Sequence, residues 1–264
     1  MLNKDGDAML LTLHPAFSLS SVVECIWHHE GAAVVRGREH VLPDGRFQIV
    51  LNLATGKGAV CGLRSQHVVI DTAQVTSLIG VVFRPGGALG LLGESALEFC
   101  DRSVALDLVW GSQATPLLEQ LRDAASAGKR LRILEAVITD RMRRDGKAIH
   151  PAVDYALQVF NNTPHIRTVA DVSREIGWSR RWFSHAFSEQ VGMTPKRYCR
   201  LMRFRKVVRQ IASNQPVDWA DVALAGGFCD QAHLVHEFRV FSGFSPERYL
   251  TDERPFPNHV RTNQ

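Results

Sequence analysis

Residues 170–198 and 220–249 carry the same pattern twice. Ala170, Asp171, Val172 and Gly177 recur fifty positions later as Ala220, Asp221, Val222 and Gly227. One residue is then added. His185, Phe187, Gly192, Pro195, Arg197 and Tyr198 recur as His236, Phe238, Gly243, Pro246, Arg248 and Tyr249. Each copy reads as a short helix, a Gly-centred turn and a second helix, the layout of a helix-turn-helix whose second helix enters a DNA major groove. Two copies in tandem predict a chain that reads two adjacent segments on one DNA face.

The 264 residues leave room for a second domain with a core of its own. No apolar run reaches membrane-spanning length, and Lys4, Asp5 and Asp7 interrupt the N-terminus before a signal-peptide core can form. The expectation is a cytoplasmic protein with no membrane partner. Cys25, Cys61, Cys100, Cys199 and Cys229 are dispersed without a CxxC pair, which argues against a disulfide framework or a zinc knuckle. Charge is unevenly distributed. Residues 1–150 hold 16 basic and 16 acidic side chains, whereas residues 151–264 hold 15 and 11, which accounts for the whole net charge of +4. Between positions 180 and 209, Arg180, Arg181, Lys196, Arg197, Arg200, Arg203, Arg205, Lys206 and Arg209 face only Glu189. Such a run at a candidate recognition helix suits phosphate neutralisation.

The predicted fold is α+β, with a small N-terminal β-barrel or sandwich carrying helices and a C-terminal all-α double helix-turn-helix domain. FQIVLNLA (47–54), HVVID (67–71) and TSLIGVVF (76–83) read as strands, separated by Pro43-Asp44-Gly45, Gly56-Lys57-Gly58 and Pro85-Gly86-Gly87. Leu117, Leu118 and Leu121 mark one helix face. Leu131, Leu134, Ile138 and Met142 mark another, suited to a core or to a dimer seam. RRDGK (143–147) reads as the interdomain linker. Thereafter Thr168 with Asp171, Ser179 and Pro195 predict helix starts, and Asn214-Gln215-Pro216 a helix stop. The domains are expected at 1–145 and 151–252.

On a helical wheel, Phe183, Ala186 and Phe187 face inward, and Arg181, Ser184, His185 and Ser188 outward. In the second copy Leu234, Glu237, Phe238 and Phe241 face inward, and Ala232, Val235, His236 and Arg239 outward. Arg180 and Gln231 stand at the N-terminal shoulders. Arginine matches guanine O6 and N7, glutamine matches adenine N6 and N7, and alanine or valine meets a thymine methyl. The helix from Pro195 reads as a spacer that brings Lys196, Arg197 and Arg200 near phosphates. Glu237, on the inner flank, is expected to pair with a nearby arginine, and Trp178 and Phe228 to plug the core.

The repeat, GMTPKRY and GFCDQAHLVHEFRVFSGFSPERY resemble the AraC/XylS family of bacterial transcription regulators over residues 151–251. The resemblance implies two helix-turn-helix units joined by a linker helix and seated in successive major grooves of double-stranded DNA. Base-reading positions would then be Arg181, Ser184 and His185, with Gln231, Ala232, His233 and His236. The family often carries a longer side chain at the position of Ala232. VLPDGRFQIVLNL, GVVFRPGGALGLLG and DRSVALDLVWG resemble cupin-like sensory domains of such regulators. That implies control by a small-molecule effector or homodimerisation, with RNA polymerase as a further partner and no catalytic activity.

Two alternatives differ in class. A barrel metalloenzyme with an accessory DNA-binding domain would need ligands such as His28, His29, Glu30 and His40, but adjacent histidines on a strand point to opposite faces. No metal or cofactor is therefore expected. A thiol redox regulator would use Cys199 or Cys229. Arg84, before Pro85-Gly86-Gly87, is a candidate for an anionic effector or for a structural salt bridge. The copies differ in outward chemistry, so two unlike half-sequences are expected, with the first copy and the spacer helix carrying more phosphate-dependent affinity.

Overall fold

A computed structural model describes residues 9–31, 38–71, 76–212, 217–256 and 258–261. Lys4, Asp5 and Asp7 and the Asn214-Gln215-Pro216 stop lie outside the described residues. The N-terminal half comprises β1 (Met9–Leu13), β2 (Val23–Gly31), β3 (Arg38–Val41), β4 (Gln48–Asn52), β5 (Lys57–Cys61), β6 (Val68–Asp71) and β7 (Thr76–Phe83). There follow α1 (Leu89–Leu92), β8 (Ser103–Ala105), α2 (Leu106–Trp110), α3 (Ala114–Asp123) and α4 (Ala127–Asp145). The C-terminal half comprises α5 (Pro151–Asn162), α6 (Val169–Ile176), α7 (Arg180–Val191), α8 (Pro195–Ile211), α9 (Trp219–Gly226), α10 (Gln231–Ser242), α11 (Pro246–Thr251), β9 (Glu253–Phe256) and β10 (His259–Arg261).

The strands form two sheets, ordered β1-β2-β7-β4-β5-β8 and β6-β3-β10-β9. Neighbours are antiparallel in both. Ile79, Val81 and Phe83 on β7, Ile49 and Leu51 on β4 and Ile26 on β2 are buried at alternate positions, so period-2 patterning sets which face enters the core. Gly80 lies opposite Trp27, and a Cβ there would stand 2.6 Å from the indole. The missing side chain leaves the space that the ring occupies. The expected stripe on α4 is buried at Leu131, Leu134 and Ile138, with Met142 packed at its edge. This helix lies against β2, so its stripe belongs to the core.

The sequence pattern treats residues after 151 as helical, and here the structure differs. The last described residues turn back as β9 and β10, and β10 pairs with β3 through Val260↔His40 and Arg261↔Glu39. Val260 is fully buried. Glu39, buried on β3, takes hydrogen bonds at 2.9 Å from Arg261 and also lies 2.9 Å from His259 Nδ1. Three residues are too few for a periodicity signal, and the strand is held by its pairing with β3 and by the bond of Arg261 to the buried Glu39 carboxylate.

The buried apolar side chains form one continuous cluster through both halves. Gly45 nests beneath Tyr198, Leu201 and Met202 of α8, where a Cβ would lie 2.7 Å from Met202 Cε. Gly192, in the left-handed region, sits under Phe47. At a second contact the His67 N–H donates to the Phe241 carbonyl at 2.8 Å, and the His40 and His67 rings stack 4.5 Å apart beside Phe244. Arg46 bridges to Glu24 at 2.8 Å, and Asp44 accepts the Arg46 N–H. RRDGK therefore does not separate two cores: α4 runs through Asp145, and Gly146 packs directly against Gly90.

Burial lowers the pKa of His28, His29 and His67, with neighbouring charges contributing less. A lowered folded-state value means that folding favours the neutral ring. Stability from this source is present above the unfolded value of about 6.5 and is lost as the pH falls through it towards the folded value. Thermal melting followed from pH 8 to pH 5.5 should show a midpoint that falls only on the acid side. His67→Gln should flatten that fall, and an equally steep fall in this variant would refute the assignment.

Candidate nucleic-acid interface

Local chemistry sets both helix-turn-helix units. Thr168 caps α6 in a reciprocal capping box with Asp171. Gly177 ends it in the left-handed conformation, and Ser179 caps α7. In the second unit Asp218 caps α9, Gly227 makes the left-handed turn, and Asp230 caps α10 by accepting the His233 N–H at 2.7 Å. Phe183, Ala186 and Phe187 are buried on α7, as are Leu234, Glu237, Phe238 and Phe241 on α10. Phe228 is buried and Trp178 half-buried against the core.

The opposite faces point to solvent. Arg180, Arg181 and His185 are exposed and Ser184 is half-buried. Gln231, Ala232, His236 and Arg239 are exposed. His233 is half-buried: its Nδ1 lies 3.4 Å from the Cys229 N–H and its ring stands edge-on to Phe228. Ser188, expected on the outer face, is buried and donates to the Ser184 carbonyl at 2.7 Å. The C-terminal half of α7 packs against the turn at Ala96–Phe99, which covers that flank.

The cations of α8 are placed differently from the sequence expectation. Lys196 is exposed. Arg197 stands 3.3 Å from Asp101 of the N-terminal half. Arg200 makes two hydrogen bonds to Glu237, at 2.8 and 2.7 Å, the pairing expected for that carboxylate. Arg203 donates to the Gly227 carbonyl at 3.1 Å and Lys206 to the Ala225 carbonyl at 2.6 Å. Cations thus sit at the negative C-terminal end of α9. Arg205 is half-buried between the halves, and burial lowers its pKa. Arg197 and Arg200, expected at phosphates, are therefore engaged with carboxylates of the protein itself. Seven cations on a helix that also buries Tyr198, Leu201, Met202, Phe204 and Val207 cannot all face one DNA strand. That conflict was the signal available in the sequence.

Elsewhere, Arg84 is exposed and its Nε donates to the Ser20 carbonyl at 2.8 Å, so its bond is to backbone. An open groove of about 330 Å³ runs between Ala16 and α4, lined by Ser18, Arg132, Glu135, Thr139 and Arg143. Its buried carboxylate, Glu135, already accepts the Ala16 N–H and pairs with Arg132. No group of three metal-type ligands occurs among the described residues. Burial pushes the Cys199 thiol up to about 12, which keeps it protonated and unreactive. No described helix is long and apolar enough to cross a membrane.

Residues 172–252 match the model of a helix-turn-helix domain family, and residues 11–105 match a domain of unknown function, DUF6597. Residues 172–252 are a helix-turn-helix domain. The chain is a DNA-binding transcription regulator. No curated protein matches the regulator significantly. Among solved structures, ToxT from Vibrio cholerae is similar at 9% identity, covering 93% of this chain and 97% of that one, with a TM-score of 0.44. The C-terminal domain of AraT, a response regulator from Geobacillus stearothermophilus, is similar at 18% identity over 40% of this chain and 88% of that one, with a TM-score of 0.37.

In the regulator, Arg200→Ala should leave the Glu237 carboxylate buried without its partner. Removing charge-assisted hydrogen bonds of this kind costs about 2 kcal/mol. Urea unfolding should show that loss for Arg200→Ala and a smaller one for the double variant Arg200→Met with Glu237→Leu. Equal stability of wild type and Arg200→Ala would return Arg200 to the phosphate contacts.

Proposed function

We propose that the regulator reads two successive major-groove segments of an asymmetric DNA site of about 15–20 base pairs, one turn apart, with α7 in one and α10 in the other. The observation that carries this is the pair of exposed polar faces at corresponding positions of two capped helices, both held by α8. Arg180, Arg181, Ser184 and His185 serve the first segment. Gln231, Ala232, His233, His236 and Arg239 serve the second, with His233 acting through Nε2. Lys196 is the phosphate contact of α8 in this reading, and Arg197 becomes one only if Asp101 releases it.

Residues 1–145 act as the sensory or dimerising half and 151–252 as the DNA-binding half. Control by an effector, or by a second copy of the chain, reaches the DNA-binding half through the contacts of Gly45, Asp101 and His67. RNA polymerase is the downstream partner, and the cytoplasm the compartment. The reading needs no catalytic step.

Selection from a random DNA pool should recover one preferred site with two unlike halves. Arg181→Ala should relax one position in one half and Gln231→Ala one position in the other, each costing about tenfold in affinity for the preferred site. With four or five exposed cations at phosphates, log K against log salt should have a slope of about −4. Recovery of no preferred sequence would end the reading.

A further inference from the structure

We infer that Trp182 is a DNA-contacting residue of the regulator, its indole lying against the sugar–phosphate wall of the groove that α7 enters. The inference rests on the reading of α7 as a recognition helix and adds a residue to it. Trp182 is 57% exposed, in the first turn of α7 between Arg181 and His185. Among the described residues the other tryptophans are buried or half-buried.

Comparison of the two copies explains why this ring projects. Trp178 and Trp182 correspond to Phe228 and His233. Both pairs are edge-on, with centroids 6.2 Å apart in the first copy and 5.3 Å in the second. The residue added in the second copy falls between Phe228 and the cap Asp230, and it is Cys229. Its N–H meets His233 Nδ1 at 3.4 Å and draws that ring back on to the turn. The first copy passes directly from Trp178 to the cap Ser179 and has no such N–H. Trp182 is left outward, touching Trp178 and, at 6.1 Å between centroids, His185.

The surroundings favour DNA over an apolar protein partner. Arg180 and Arg181 precede it in the first turn of α7, are exposed, and have no carboxylate partner among the described residues. An apolar partner would have to strip water from both, whereas a phosphate backbone would neutralise both. The indole face suits deoxyribose C–H groups or a thymine methyl. Its N–H, without an acceptor among the described residues, suits a phosphate oxygen.

The full chain should be titrated with the duplex recovered by selection, alongside Trp182→Ala, Trp182→Phe and Arg181→Ala, with circular dichroism confirming that each folds. Trp182→Ala should weaken binding about tenfold on preferred and unrelated duplexes alike, and Trp182→Phe less. The emission difference between wild type and Trp182→Phe should be quenched by acrylamide in the free protein and shielded in the complex. Unchanged affinity of Trp182→Ala, or equal quenching with and without DNA, would overturn the assignment. If Arg181→Ala still weakens binding in that case, only Trp182 is reassigned, to a surface for another partner. If Arg181→Ala is also silent, the reading of α7 falls with it.

Discussion

Arg200 and Glu237 fix how the second helix-turn-helix is carried on the first. Burial alone would push the Glu237 carboxyl up, but the hydrogen bonds and charge of Arg200 outweigh it and hold it below its usual range. The guanidinium meets the carboxylate through two nitrogens, a geometry that fixes orientation as well as distance. Arg203 and Lys206 then grasp the C-terminal carbonyls around α9, and Phe204 stacks on Phe241 with centroids 5.1 Å apart. Both helices of the second unit are thereby tied to α8. The spacing between the two helix-turn-helix units becomes a property of one rigid helix, so the cost of ordering it is met in folding.

The same helix meets the N-terminal half on another side. Tyr198, Leu201 and Met202 close over Gly45, and Arg197 faces Asp101. Asp101 is a non-glycine residue at φ 58°, held there while its carboxylate accepts the Ser65 N–H and hydroxyl. The other contacts fall at the C-terminal ends of α7 and α10, at Gly192 and at Phe241 to Gly243. These are the ends remote from the capped, exposed first turns. The N-terminal half thus holds both reading heads from behind while their outward faces stay in solvent. With one core running through both halves, a displacement of the turn at Gly45 bears directly on α8.

Local rules made much of this legible. The repeat placed both helix-turn-helix units, and the caps Thr168 and Ser179 and the first-turn Pro195 marked helix starts that the backbone adopts. TSLIGVVF is β7 from end to end, because an uninterrupted apolar run has few other uses between Gly-rich turns. VECIWHHEG escaped notice: β2 buries His28 beside Arg130 of α4, and a histidine at a core position breaks the apolar alternation. β10 was equally silent, since Glu39 and Arg261 read as surface charges until the fold brings them together. In the candidate interface, the wheel separated inner from outer residues but could not see that the Ala96–Phe99 turn covers Ser188. It also counted the α8 cations as free, because their partners at Asp101, Glu237, Ala225 and Gly227 lie 19 to 96 positions away.

That placement changes what a basic recognition domain means here. Cations bonded inside the protein cannot release counterions from DNA, so they add nothing to sequence-independent binding. Among the described residues of this half, the exposed cations without an ion pair are few: Arg180, Arg181, Lys196, Arg209 and Arg239. A chain with a net charge of only +4 has little long-range attraction with which to hold arbitrary DNA. In the proposed reading, its affinity for a site rests more heavily on contacts that depend on the bases and on the shape of the groove. The two copies offer different chemistry for that purpose, with arginine and an outward indole on α7 and glutamine, alanine and a retracted imidazole on α10. The N–H of the inserted Cys229 and the acceptor nitrogen of His233 together hold back a ring that in the first copy, an indole, points outward.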